Sequence, residues 1–148
     1  MIPAIHARYV LDASVAAKWF TRHEEPDREK ALALRDRHRR RDCRLVLPDF
    51  GLLEVMNALR FSPRAVEADT SAALMVLNDL QLQIEPVNWD LLRKASAIAW
   101  AYRTSVYDAV YVALAERLGF PLLTSDEELV KRMRGHSIVV RLRELEFQ

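Results

Sequence analysis

Tyr9-Val10-Leu11-Asp12 runs directly into Ala13-Ser14-Val15-Ala16-Ala17-Lys18-Trp19-Phe20. The first three residues are apolar without alternation, the pattern of a strand covered on both faces. Ala13 to Phe20 reads as a helix, so Asp12 stands where a strand gives way to a helix. The arrangement recurs twice. Leu45-Val46-Leu47 is a second strand ended by Pro48, and Asp49 to Phe61 reads as the helix after it. Pro121-Leu122-Leu123 is a third strand, followed by Thr124-Ser125-Asp126 and a short helix to about Met133. Helical patterns from Asp27 to about Arg41, Ala65 to about Gln81, Trp89 to about Tyr102 and Val106 to Leu118 fill the intervals. Ile84 to Val87 and Ser137 to Leu142 read as further short extended segments. Asp27, Asn88, Ser105 and Ser125 are candidate N-caps, and Gly119 closes the helix before it. Strands alternating with helices from end to end predict a three-layer α/β/α, Rossmann-like domain with a mainly parallel central sheet. Ligands of such sheets sit beyond the carboxyl ends of the strands. The residues after Leu11, Leu47 and Leu123 are therefore the ones to inspect.

Composition narrows the chemistry. With 148 residues the chain suits one domain over 1–148, and 51% hydrophobic with 29% charged residues is ordinary globular composition. Cys43 is the single cysteine, which excludes an internal disulfide and a cysteine zinc site. Gly51, Gly119 and Gly135 stand alone, so neither GxGxxG nor GxxxxGK[ST] can be written. The four histidines are scattered and form no HExxH. The net charge of +1 is no polycation, so any nucleic-acid contact must come from local clusters. The apolar run Ala109 to Ala115 is too short to span a membrane, and Met1 to Arg8 lacks a targeting pattern. A soluble cytoplasmic protein is expected.

Four carboxylates stand out. Asp12 and Asp126 follow strands. Glu54 lies within a helix that is apolar nearly all round, a pattern that predicts burial, with Asn57 beside it at i+3. Asp108 is the one acid among Tyr107, Ala109, Val110, Tyr111 and Val112. A buried carboxylate is costly unless paired or metal-bound, and Arg60 lies off the Glu54 face. One convergent acidic pocket holding Mg²⁺ or Mn²⁺ accounts for all four, because oxygen donors favour those ions over zinc. Helix capping is the competing account: Asp12 at the first helix, Asp108 with Ser105, and Asp126 and Glu128 around Ser125. Lys131, Arg132 and Arg134 are candidate phosphate contacts near the pocket. The arginine-dense stretch from Arg35 to Arg44 reads as a solvated helix end. Trp19, Trp89, Trp100 and the tyrosines read as core, and Cys43 as inert.

The order of these residues resembles the PIN-domain ribonucleases, specifically VapC-type toxins of type II toxin–antitoxin systems. Tyr9-Val10-Leu11-Asp12-Ala13-Ser14 resembles the family's first motif. Leu47-Pro48-Asp49-Phe50 with Glu54-Val55-Met56-Asn57 resembles its second, Ser105-Val106-Tyr107-Asp108-Ala109 its third and Leu123-Thr124-Ser125-Asp126 its fourth. The resemblance implies a Mg²⁺- or Mn²⁺-dependent endoribonuclease with Asp12, Glu54, Asp108 and Asp126 as its catalytic and metal-binding acids. Ser14, Asn57 and Thr124 would position them or the substrate, and Glu127 or Glu128 stands near enough to help. It also implies a homodimer, an RNA substrate and a cognate VapB-type antitoxin. Three alternatives stay open: an RNA-processing nuclease that is not a toxin, a non-enzymatic metal-stabilised module that binds protein, and a phosphohydrolase with Asp12 as nucleophile. Ser14 counts against the last, whose chemistry wants an acid there.

Overall fold

The computed structural model describes residues 7–21 and 23–147. Residues 1–6, most of the stretch read above as lacking a targeting pattern, lie outside the described residues. The strands are β1 Ala7–Leu11, β2 Cys43–Pro48, β3 Gln83–Glu85, β4 Leu122–Thr124 and β5 Val139–Arg141. The helices are α1 Ala13–Ala16, α2 Arg28–Arg39, α3 Asp49–Arg60, α4 Glu67–Leu80, α5 Trp89–Tyr102, α6 Val106–Leu118 and α7 Glu127–Arg132. All four strand pairings are parallel, in the order β3-β2-β1-β4-β5. The chain builds outward from β1 to β3, then crosses back to add β4 and β5 on the other side. Each parallel neighbour is reached by a helical crossover, and α5 and α6 pack against each other along their length. The three-layer α/β/α architecture expected from the alternation is the one observed. No helix among the described residues is long and apolar enough to cross a membrane.

The core runs along the central strands. Val10, Leu11, Leu45, Val46, Leu47, Leu122 and Leu123 are fully buried. From Ala109 to Ala115 every residue of α6 is buried, because the small side chains let the helix lie close against β1, β2 and β4. His38 fastens three elements together. Its Nδ1 accepts the Leu45 backbone N–H at 3.2 Å, so Nε2 carries the proton and donates to the Leu80 carbonyl at 2.8 Å. That bond closes the end of α4 against α2 and β2.

Several local expectations change. The helix expected over Ala13 to Phe20 splits into α1 and a 3-10 turn at Ala17–Trp19. Trp19 is buried there and its indole N–H donates to the Ala31 carbonyl at 2.8 Å, which tightens the turn onto α2. Asp27 adopts a left-handed conformation and its side chain makes no cap. Ser125 does not cap α7; Asp126 does, accepting from the Glu128 and Leu129 amides. Trp89 and Trp100 are not core but 85% and 86% exposed, because α5 spends Leu91, Ala95 and Ala99 on the interior. The helix carrying Glu54 is also less buried than its composition suggested. Only Gly51, Val55 and Leu59 are buried in α3, and Leu53 is 73% exposed.

Candidate active site

The strand order reverses at β1, between β2 and β4. In doubly wound sheets the crevice for ligands opens at such a reversal. Asp12 leaves β1 and Thr124 ends β4 at this point, and their side chains meet: the Thr124 hydroxyl donates to Asp12 Oδ2 at 2.8 Å. Ser14 donates to the same oxygen at 2.5 Å. Each hydroxyl is itself fixed by a backbone amide, Ser125 N–H to Ser14 Oγ and Asp126 N–H to Thr124 Oγ1, both at 3.0 Å. Asp12 begins α1 yet makes no side-chain cap, so its role is not that of a helix cap. It is 6% exposed, and both of its hydrogen bonds among the described residues fall on Oδ2. Oδ1 is left for another partner.

The other acids enter from the helices. Glu54 comes from α3, half-buried, and accepts a 2.6 Å hydrogen bond from the Tyr111 hydroxyl. Asn57, expected beside it, is exposed. Asp108 lies in the first turn of α6. Ser105 caps that helix through the Asp108 N–H at 3.1 Å, while the Asp108 carboxylate accepts from the Thr104 hydroxyl at 3.4 Å. Half of the expected capping box is thus present, and the half-buried Asp108 carboxylate is left to Thr104 rather than to the helix end. Asp126 Oδ1 is taken up with the amides of α7.

These groups feel one another. Burial raises the Asp12 pKa from 3.8 to about 6, against the Ser14 and Thr124 hydrogen bonds that lower it, and the charges of Asp108 and Glu54 raise it further. Glu54 is raised by burial and by the Asp108 charge, with the Tyr111 hydrogen bond opposing. Asp108 is raised by burial, then by the charge of Asp126, against Ser105, Thr104 and Arg132. The four acids therefore share one field at the carboxyl edge of the sheet. Crowded carboxylates that hold their protons too tightly want a cation. The donors are all oxygens, and Asp12 keeps one oxygen without a hydrogen bond while Asp108 and Glu54 act on it, so the residues fit a hard divalent ion. Among the described residues no three of these side chains close on one point as a finished metal cage.

The basic candidates divide. Arg132 acts on Asp108 and donates to the Arg103 carbonyl at 2.6 Å. Lys131 and Arg134 instead line a shallow hollow with His136, Val139 and Arg141. Glu127 is held by ion pairs to Arg141 and Arg143. Glu128 is exposed and lies 3.9 Å from Arg132. Neither is among the groups acting on Asp12, Glu54 or Asp108. The arginines at the end of α2 sit where β2 begins, at the opposite edge of the sheet from the acids. Cys43 is buried, with its thiol pushed up to about 11 mainly by burial, consistent with an inert side chain. Tyr111 was missed by sequence reasoning. Its only signal was a phenol where α6 otherwise presents alanine, valine and leucine to the interior.

Residues 9–135 match the PIN domain family. The chain belongs to that family. Within it, the chain is 46% identical over 43 residues to the ribonuclease VapC3 of Pyrobaculum aerophilum, an alignment covering 29% of this chain and 33% of the relative. The chain thus matches about a third of the length of that curated relative. The PIN fold is also shared with the crystal structure of PAE2754 from Pyrobaculum aerophilum, at 23% identity and a TM-score of 0.64 over 95% of this chain and 93% of that one. A toxin–antitoxin complex from Klebsiella pneumoniae is similar at 18% identity and a TM-score of 0.66, over 93% of this chain and 99% of that one.

Proposed function

We propose that this PIN domain, spanning 1–148, is a Mg²⁺- or Mn²⁺-dependent endoribonuclease that hydrolyses RNA phosphodiester bonds in the cytoplasm. We further propose that it is the toxin of a toxin–antitoxin pair, working as a homodimer and silenced by a VapB-type antitoxin. The observation that carries the reading is the shared field of Asp12, Glu54 and Asp108 at the strand reversal, each holding its proton above the ordinary carboxylate range. Family membership and the ribonuclease relative support the substrate class, and the toxin–antitoxin neighbour supports the partner.

Asp12 would hold the ion through Oδ1, with Ser14 and Thr124 keeping its other oxygen turned away. Asp108 and Glu54 would complete the ligands from α6 and α3, and Asp126 would add its charge beside Asp108. When bound, the ion supplies neutralisation of the phosphate and lowers the pKa of the attacking water. Glu54, half-buried and held by Tyr111, is placed to take up a proton. Arg132, the cation that acts on Asp108, would meet a flanking phosphate, with Lys131 and Arg134 further round α7. Asn57, exposed one turn beyond Glu54, would meet substrate rather than the ion. The antitoxin would close the site by placing a lysine or arginine against Asp12 and Asp108.

The test is cleavage of single-stranded RNA with Mg²⁺ or Mn²⁺ and its loss in excess chelator. Asp108→Asn keeps shape but removes one charge, so it should abolish cleavage while its metal-free melting temperature stays level or rises. Mg²⁺ should stabilise the parent more than the variant. A variant that still cuts, and is weaker by about 0.5–2 kcal/mol as a lost cap would be, makes Asp108 a structural residue and removes the proposed site. Induced expression should arrest growth, and growth without arrest would leave a processing nuclease.

A further inference from the structure

Gly51 is the third residue of α3, in its first turn, and its backbone has no positive φ that would call for glycine. The space around it shows what the missing side chain allows. A Cβ built there would lie 3.0 Å from the Tyr111 hydroxyl and 3.0 Å from two side-chain carbons of Leu47. Tyr111 is fully buried, and its ring is held edge-to-face by Phe50 at 5.4 Å. Filling the core required only a phenyl ring. The hydroxyl instead reaches through the gap over Gly51 and donates to Glu54 Oε1 at 2.6 Å, one turn further along α3. The backbone amide of Ala13, next to Asp12, acts on the same hydroxyl. One buried hydroxyl thus joins the helix that carries Asp108 to the helix that carries Glu54, with the backbone beside Asp12 acting on it.

We propose that Tyr111, seated in the gap left by Gly51, is a positioning residue that sets the Glu54 carboxylate against Asp12 for cation binding. Among the described residues Glu54 has no side-chain hydrogen bond or ion pair other than the one from Tyr111. The hydroxyl supplies the fixed point. Partners of a metal-binding carboxylate commonly contribute as much to affinity as this requires. The inference rests on the metal-dependent reading above, and its readout is ion binding without RNA.

Mn²⁺ binding to the purified chain is followed by calorimetry, alongside metal-free melts. Tyr111→Phe should weaken Mn²⁺ binding about 10–100-fold. In a Glu54→Gln background the same change should weaken it less than twofold further, since the carboxylate it positions is gone. Gly51→Ala keeps the hydroxyl but pushes on it, so it should also weaken Mn²⁺ binding although helix propensity alone favours it. This second variant decides the matter should Tyr111→Phe fail to fold. Binding within twofold of the parent in both variants overturns the inference and leaves the metal site standing. Equal weakening with and without Glu54 overturns it too. A parent chain that binds no Mn²⁺ overturns both readings.

Discussion

Asp12 is the residue on which charge and fold meet most directly. In the folded chain it keeps its proton up to about pH 6, against an ordinary 3.8. Between those values the folded state binds more protons than the unfolded one, so stability falls as pH rises. The metal-free protein should lose stability from about pH 4 to about pH 6 and stay at the lower level above it. Glu54 and Asp108 are displaced the same way and steepen the fall. Urea unfolding across this range should show the decline, Asp12→Asn should flatten it, and Mg²⁺ at pH 7 should restore what was lost. A parent stability that rises from pH 4 to pH 7 in chelator would contradict the placement of Asp12. Asp12 itself was visible in the chain because it follows an apolar strand. Its two hydroxyl partners, Ser14 and Thr124, were reached through the family resemblance; no local pattern joins Thr124 to Asp12, since that contact spans 112 positions.

At the scale of elements, His38 shows what one buried imidazole does for α2, β2 and α4. Replacing it by leucine fills the space but leaves the Leu45 amide and the Leu80 carbonyl without partners. Unpaired buried groups of this kind cost about 1–3 kcal/mol each. His38→Leu should therefore lower unfolding stability by about 2–6 kcal/mol in urea melts, while RNA cleavage by the folded fraction stays unchanged. Much of this level was legible. Apolar runs ending at Leu11, Leu47 and Leu123 gave the central strands, and Asn88, Ser105 and Gly119 marked helix ends where the structure has them. What failed was burial by composition. Leucine 53 and the tryptophans of α5 are apolar yet exposed, because a helix faces the sheet along one stripe and composition does not say which. Tyr111 failed for the opposite reason. Its function lies in a contact across 57 positions, and no local pattern distinguishes it from a core aromatic.

Across the whole molecule, the net charge of +1 conceals a division between acids at the carboxyl edge of the sheet and arginines where β2 begins. On the proposed reading, RNA at the acidic edge would meet few cations, chiefly Arg132, with Lys131 and Arg134 further round α7. Three phosphate contacts correspond to a slope of about −2 for the logarithm of affinity against the logarithm of salt with single-stranded RNA. Anisotropy with the Asp12→Asn variant at fixed Mg²⁺ should give that slope, and Arg132→Ala should make it shallower. A slope steeper than about −5 would place the RNA on the α2 arginines instead. The strand order has a further consequence, for synthesis. Asp12 is made early, but the hydroxyl of Thr124 that holds it lies 112 positions later, on the strand that joins the second half of the sheet to the first. Contacts so distant in sequence form only after the chain between them exists and its closure entropy has been met. A nascent chain therefore carries the acid without the pocket. The acidic edge comes into being only once the second-last strand has been made and has paired with the first.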